Sequence, residues 1–260
     1  MMNRFFFKSM HFQSAVRFDI DAPETILRHA DIIRQKPFLR LLYRDWYESL
    51  RSAVPKVVPG AVIELGSGGG FIQEIIPQAL TSDIHPTPGI SMTLDATVMP
   101  FRSQSLKAIL MVDVLHHLPR VSDFFSEASR CLTSGGVIAM IEPWNTLFSR
   151  LFYRYLHHEP FEPQAAGWHF TPGKPMSSSN QALPWILFSR DRLKFQATFP
   201  EWELSLIGLH TPLRYLLSGG VSCRGLVPAF TFDLWRAVEE KLTACMRYLA
   251  MFATIKLVRK

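Results

Sequence analysis

Cysteine is scarce in this chain: Cys131, Cys223 and Cys245 are the only three in 260 residues, and none stands at a metal-ligand spacing from another. An odd, scattered set argues against a disulfide framework and for a reducing, cytoplasmic setting. Charge is modest as well, 19% of residues against 48% apolar. That balance excludes disorder over most of the length and supplies one large core. No apolar run reaches the ~18–20 residues that span a bilayer. There is no internal repeat, and no low-complexity tract beyond Ser177-Ser178-Ser179. No acid precedes Asp19, and Phe5-Phe6-Phe7 is too short for the apolar centre of a signal peptide. With Arg4, Lys8 and Arg17, the start reads as a frayed basic segment, a mitochondrial presequence being the lesser alternative. Glycines (14) are outnumbered by prolines (18), which points to substantial ordered loops.

What is present falls into segments of different texture. From Pro23 to Val54, Ile26, Ile33, Leu41, Leu42, Trp46 and Leu50 recur at helical spacing, with a break at Pro37. Ala61–Leu65 is a short apolar run ending in glycines; Phe71–Ile76 reads as the start of a helix and Ala79–Asp83 as another strand. Lys107–Val112 and Val137–Ile141 are further strands. Between them a helix is expected to start at Ser122 as N-cap, bury Phe125, Ala128 and Leu132, and end at Gly135-Gly136. Strands alternating with helices indicate a parallel sheet covered on both faces. After Glu142 the rhythm breaks into a stretch rich in proline and aromatics. A second insertion-like stretch follows Leu209, with a helix whose Leu234, Val238, Leu242, Cys245 and Leu249 share a face, and Phe252–Val258 closes the chain as a strand.

The most informative stretch is Glu64-Leu65-Gly66-Ser67-Gly68-Gly69-Gly70-Phe71. Glycines between a strand and a helix let backbone approach a ligand at the carboxyl edge of a sheet; the plain alternative is a tight turn without a ligand. A dinucleotide fold wants a glycine where Phe71 stands, and a phosphate loop wants Gly-Lys-Ser/Thr, which is missing. Glu64-x-Gly66-x-Gly68-x-Gly70 instead resembles the first motif of the class I S-adenosylmethionine-dependent methyltransferases. Later landmarks follow in order: Asp83 at the end of the second strand, Asp95-Ala96 before Met99-Pro100-Phe101, Val114-Leu115-His116-His117-Leu118 after the fourth strand, and Glu127-Ala128-Ser129-Arg130-Cys131-Leu132 before Gly135-Gly136. The match is dense over residues 57–143. Lys107 and Ser134 depart from the common Asp and Pro, and both read as surface variation.

The resemblance implies a Rossmann-like α/β fold: a central seven-stranded, mostly parallel sheet with helices on both faces and insertions after strands five and six. It implies residues 1–56 as a helical cap and 57–260 as the methyltransferase domain. Within that domain 57–143 would bind donor, and insertions at about 144–186 and 210–250 would cover the acceptor. S-adenosylmethionine would be held by Glu64, Gly66, Ser67, Gly68 and Gly70 at its amino-acid end. Asp83 and Ile84 would sit at ribose, Asp95 and Ala96 at adenine, and Met111 and Val112 beside the methionine chain. Methyl transfer is an in-line displacement in which the protein mainly aligns the acceptor. His116 or His117 would act as base or acceptor-orienter, the alternative being that they pack the helix end. His157, His158 and His169 read as hydrogen-bonding loop residues, and Glu142 as a strand-end carboxylate. Tyr43 and Trp46 would close over the donor or pack in the core. No metal site is expected, since no ligand spacing is present.

The acceptor must bind under the insertions, which carry Trp144, Phe148, Phe152, Tyr153, Phe161, Trp168, Tyr215 and Trp235 interspersed with Arg150, Arg154, Lys174, Arg190, Arg192, Arg214 and Arg224. That mixture suits a small or lipid-linked acceptor, partly apolar and anionic, methylated at oxygen. Residues 57–143 hold four basic and eight acidic residues, and residues 144–260 hold fourteen and eight. The formal +6 therefore sits away from the donor half, and no nucleic-acid partner is expected. An RNA or protein methyltransferase is one rival reading. A non-enzymatic donor-binding module at a membrane surface is the other, through a helix near Asp233–Met251 that packs on the sheet in the favoured alternative.

Overall fold

The computed structural model describes residues 23–157, 159–170 and 179–260. Arg4, Lys8, Arg17, His158 and Lys174 lie outside them. Two helices come first, α1 (Pro23–Gln35) and α2 (Pro37–Ala53). Their break is set by Pro37, whose ring pushes Lys36 to ψ 87° and which serves α2 as a first-turn residue needing no donor. The sheet strands are β1 (Ala61–Leu65), β2 (Leu80–Asp83), β3 (Met92–Thr93), β4 (Leu106–Val112), β5 (Leu132–Pro143), β6 (Trp202–His210) and β7 (Phe252–Arg259). Their spatial order is β3-β2-β1-β4-β5-β7-β6. All neighbours run parallel except β7, which is antiparallel to β5 and β6. This is the expected seven-stranded, mostly parallel sheet.

Side chains alternate between the two faces with a period of two. Ile63, Leu65, Ile109, Met111, Ile138 and Met140 face α3 (Val121–Cys131), whose Phe124 and Phe125 are wholly buried. Val62, Ala108, Leu110, Val137, Ala139 and Ile141 face α2 through Leu39, Leu42, Trp46 and Leu50. On the first face Phe125 meets Phe188, Phe195, Phe199 and Trp202 at centroid separations of 5.0–6.3 Å. Each such ring contributes about 1.5–3 kcal/mol on leaving water. Long segments follow β5 and β6. The first holds α4 (Leu147–Tyr155), α5 (Leu183–Trp185, continued as a π-turn to Arg190) and α6 (Arg192–Thr198); the second holds α7 (Arg214–Ser218), α8 (Phe232–Lys241) and α9 (Met246–Leu249). Among the described residues no helix is long and apolar enough to cross a membrane.

Four local expectations are corrected. Phe71–Ile76 does not open a helix: only one 3-10 turn forms, Ile72–Glu74. Helix α2 already covers that sheet face, and Ile72 and Ile76 merely plug it. Helix α3 starts after Arg120, so Ser122 is in the first turn and not the N-cap. It ends at Cys131, and Gly135 (φ +77°) and Gly136 lie inside β5, where the β4–β5 register shifts. The helix after β6 is interrupted beyond Lys241, and Leu234 and Cys245 are exposed while Phe232 and Met246 are buried.

Candidate active site

Strands β1, β2, β4 and β5 end side by side, and the turns leaving them carry most of the polar residues of interest. The glycine turn after β1 is stitched to β2. Ser67 N–H donates to Ser82 O (2.8 Å), Ser82 Oγ donates to Glu64 O (2.8 Å), and Gly68 N–H donates to Asp83 Oδ2 (3.0 Å). Asp83 Oδ1 also accepts from His85 N–H (3.1 Å), so this buried carboxylate holds the turns after both strands. Ile84 beside it is exposed, an apolar surface at a strand end. Asp95 closes a short turn by accepting from Thr97 N–H (2.8 Å) and Thr97 Oγ1 (2.7 Å), next to a buried Ala96. Met111 is wholly buried against α3, whereas Val112 is half-buried at the end of β4.

The N-terminal helices lie directly on the glycine turn. A side chain at Gly70 would run into the Tyr47 hydroxyl and one at Gly69 into the backbone of Ala30, so both glycines make room for protein. Gly66 and Gly68 instead carry positive φ, +63° and +47°. Phe71 packs on Tyr47 (5.2 Å) under the Arg40 guanidinium (4.3 Å), and Arg40 pairs with Glu74 at 2.7 Å. Glu64 lies beneath, with Oε2 buried and without a hydrogen-bond partner. Burial pushes its carboxyl up to about 7, against the opposing Ser67 and Tyr47 hydroxyls.

A second cluster forms after β4 and β5. His116 is wholly buried between two carboxylates: Nδ1 is 2.8 Å from Glu142 Oε2 and Nε2 is 3.2 Å from Glu159 Oε2. Glu142 Oε1 accepts from Val114 N–H (2.9 Å) and Leu115 N–H (2.6 Å), fixing the turn that carries the histidine. Glu159 comes from the segment after α4 and also accepts from Gln181 Nε2 (3.2 Å). Burial by itself favours a neutral imidazole, but the two carboxylates outweigh it and hold His116 well above the usual histidine range. The same pairing keeps Glu159 well below the usual carboxylate range, although burial acts the other way. Both ring nitrogens of His116 are thus engaged by carboxylates in this arrangement. His117 lies 3.9 Å from Glu159 and is partly open. Ligand atoms of His116, His117 and Glu159, and of Asp113, His116 and Glu142, lie within 4.8 Å of one another, but the histidine common to both sets is committed to the glutamates.

Between the two clusters stands Asp113, at φ +63° on the last turn of β4. Its side chain keeps 42% of its surface open, while Oδ1 is buried 3.9 Å from His116 Nδ1. Its Oδ1 has no hydrogen-bond partner. Burial, with Glu159 and Glu142 adding, pushes the carboxyl up to about 7 against the nearby His116. Tyr43 and Tyr215 feel this carboxylate too, and burial raises both phenols. Phe152 on α4 packs against Tyr215 (6.4 Å) and His157 (6.2 Å). His157 binds Gln181 Nε2 (2.9 Å), and His169 Nε2 lies 3.5 Å from Ser122 Oγ, as hydrogen-bonding loop residues. Asp113, Tyr47 and Glu159 went unassigned in the sequence. Tyr47 has only a helical position to mark it, and Glu159 joins the site solely through the fold.

Several basic residues of the insertions are committed elsewhere. Arg190 pairs with Asp191 (2.8 Å), and Arg214 with Asp45 (2.5 Å) and Glu239 (2.6 Å), tying α2 to α7 and α8. Arg150 and Arg154 on α4 have no acidic partner among the described residues and are exposed.

The donor implied by the motif order brings a sulfonium and an ammonium, and the residues present fit it. Glu64 and Asp113 each offer a buried carboxylate oxygen without a partner, and burial has raised both toward neutrality, an arrangement that a bound cation relieves.

Residues 63–140 match the family model described as a methyltransferase domain. No curated protein sequence matches the chain significantly. Among solved structures, the fold is similar to geranyl diphosphate C-methyltransferase from Streptomyces coelicolor A3(2), in complex with Mg2+, geranyl diphosphate and S-adenosyl-L-homocysteine. The TM-score is 0.50 at 14% identity, over 89% of this chain and 83% of that one. It is equally similar, at TM-score 0.50 and 14% identity over 95% of this chain and 100% of that chain, to the Haloferax volcanii complex between the Trm112 methyltransferase activator and a methyltransferase. These likenesses establish the fold. Together with the matched domain, they show a class I methyltransferase fold that carries a methyltransferase domain over residues 63–140.

Proposed function

We propose that this enzyme methylates an oxygen of a small or lipid-linked acceptor that is partly apolar and anionic, with Asp113 as the base. The observation that carries this reading is the partly open Asp113 carboxylate, whose buried Oδ1 makes no hydrogen bond; the acceptor recess would lie between it, Tyr43, Tyr215 and the Phe152 side of α4. S-adenosylmethionine supplies the electrophilic methyl group. As the acceptor oxygen forms its bond to the methyl carbon, the carbon–sulfur pair returns to sulfur and the acceptor proton passes to Asp113. A base poised near neutrality typically contributes 10²–10⁴-fold. His116 is a positioning residue, holding Glu142 and Glu159 in register around this recess, and His117 orients the acceptor. Glu64, Gly66, Ser67, Gly68 and Gly70 take the amino-acid end of the donor, Asp83 and Ile84 the ribose, Asp95 and Ala96 the adenine, and Val112 the methionine chain; Met111 supports it from within the core. We read residues 1–56 as the cap, 57–143 as the donor half, and about 144–186 and 210–250 as acceptor cover. Geranyl diphosphate, held by the Streptomyces structure, is an acceptor of the same mixed chemistry.

Tritiated-methyl transfer from S-adenosylmethionine to lipid, RNA and protein fractions decides the acceptor class. Label in the lipid or small-molecule fraction is expected, and label in RNA or protein would replace this reading. Asp113→Asn should lower kcat at saturating donor by about 10²-fold, beyond whatever it costs in donor Kd. A variant retaining most of its turnover would remove Asp113 as base.

A further inference from the structure

We propose that the outer face of α4 is a membrane-docking surface that seats on an anionic lipid bilayer. The helix, Leu-Phe-Ser-Arg-Leu-Phe-Tyr-Arg-Tyr, contains no acid. Its rotation is fixed from inside. Ser149 and Tyr153 are buried, the Tyr153 hydroxyl donates to Met251 O (2.7 Å), and Thr146 and Ser149 form a reciprocal cap. What then faces outward is apolar: Leu147, Leu151 and Tyr155 stand at steps of four residues, 64%, 61% and 69% exposed, and Leu156 follows at 50%. A soluble surface seldom aligns such residues on one stripe without a partner. Arg150 and Arg154 flank it, and the neighbouring α9 adds Tyr248, 44% exposed, with the Arg247 guanidinium 4.6 Å above its ring. An apolar stripe with an aromatic and arginines at its margin is the pattern of a helix lying in the headgroup region.

Charge decides among occupants. A second copy docked about a two-fold axis would set arginine against arginine, with no acid on the helix to answer. The chain's own first eighteen residues are basic, with no acid before Asp19, and meet the same repulsion. An anionic lipid surface answers every one of these charges. Beside the stripe, Arg150, Arg154, Phe161 and Glu162 line a recess of about 410 Å³, in which two guanidiniums against one carboxylate leave a net positive place for a phosphate headgroup. The surface centres on α4 and takes only Arg247 and Tyr248 from the segment Asp233–Met251 that the sequence had suggested. It also bears on the site: Phe152, on the inner side of α4, touches Tyr215 and His157, so this helix stands between the bilayer and the acceptor recess. The inference goes beyond the acceptor reading and is measured without turnover, so either can fail alone.

The test is co-sedimentation of the full chain with vesicles of phosphatidylcholine alone or mixed with phosphatidylglycerol. Partition onto the mixed vesicles is expected to be about tenfold stronger and to weaken with salt. Leu147→Gln with Leu151→Gln should abolish it, and Arg150→Ala with Arg154→Ala should remove the preference for the anionic lipid, each with Tm and donor binding retained. Failure of the wild-type chain to bind the mixed vesicles would overturn the proposal. So would unchanged binding by the leucine variant, or a wild-type dimer that this variant dissociates.

Discussion

His116 shows how a side chain's surroundings reassign its chemistry. An exposed histidine beside a reactive centre is a natural base, but this ring is enclosed by Glu142 and Glu159 and charged by them. Because its folded value lies above the usual 6.5, its contribution to stability is complete below that pH and is lost as pH rises through the folded value. Glu159, held below its usual 4.5, contributes above that pH and loses its part as pH falls. The pair therefore stabilises most between about 4.5 and 6.5 and persists upward until His116 gives up its proton. His116→Leu should cost about 3–5 kcal/mol in urea denaturation at pH 7, since it leaves two carboxylates without their cation. Adding Glu159→Gln should recover part of that loss. A single variant within about 0.5 kcal/mol of the parent would show that the network carries no such weight.

At the scale of elements, the glycine turn is shaped as much by α2 as by any ligand. Tyr47 fills the space where a Cβ at Gly70 would go, and Ser67 O lies 2.9 Å from that point. Gly70→Ala should therefore destabilise by about 1–3 kcal/mol. Tyr47→Phe, which removes the clashing oxygen, should make the two changes non-additive, with the double variant more stable than the sum predicts. Strict additivity in thermal melts would mean that helix and turn do not press on each other. This contact also explains why the expected helix after β1 is missing. The spacing of Phe71, Ile72 and Ile76 is compatible with a helix, but α2 has taken the sheet face on which it would have packed. Elements whose burial depends on immediate neighbours, such as β4 and β5, were legible in the sequence. The helix after β1 and the stripe of α8 were not, because a distant segment decided which face was left to bury.

For the whole molecule, the division of charge carries a consequence. Residues 57–143 are acidic on balance, and two of their acids are raised to about 7, Glu64 and Asp113. A raised acid costs nothing below its unfolded value and its full penalty above the folded one. Glu64→Gln should accordingly raise Tm at pH 8 and change it little at pH 4, while weakening donor binding. A bound sulfonium favours the ionised forms, so S-adenosylmethionine affinity should rise as pH climbs toward 7. Calorimetry at pH 6 in buffers of different ionisation enthalpy should show net proton release. Uptake of protons, or affinity independent of pH in this range, would contradict the linkage. The basic surplus has a different location from the one composition suggested: Arg190 and Arg214 serve internal ion pairs, and the open guanidiniums of α4 face outward.

The ordered landmarks from Glu64 to Gly136, through their resemblance to the class I methyltransferases, determined the fold class and the succession of strands along the chain. Those features are local: a turn needs its glycines and a buried strand needs its apolar run, whatever lies far along the chain. Only the tertiary structure decided that His116 is enclosed, that Glu159 and Glu142 meet across its ring, and that Asp113 holds a buried oxygen without a hydrogen bond. Protonation depends on the charges and solvent around a group, and those are set by residues brought together from opposite ends of the sequence.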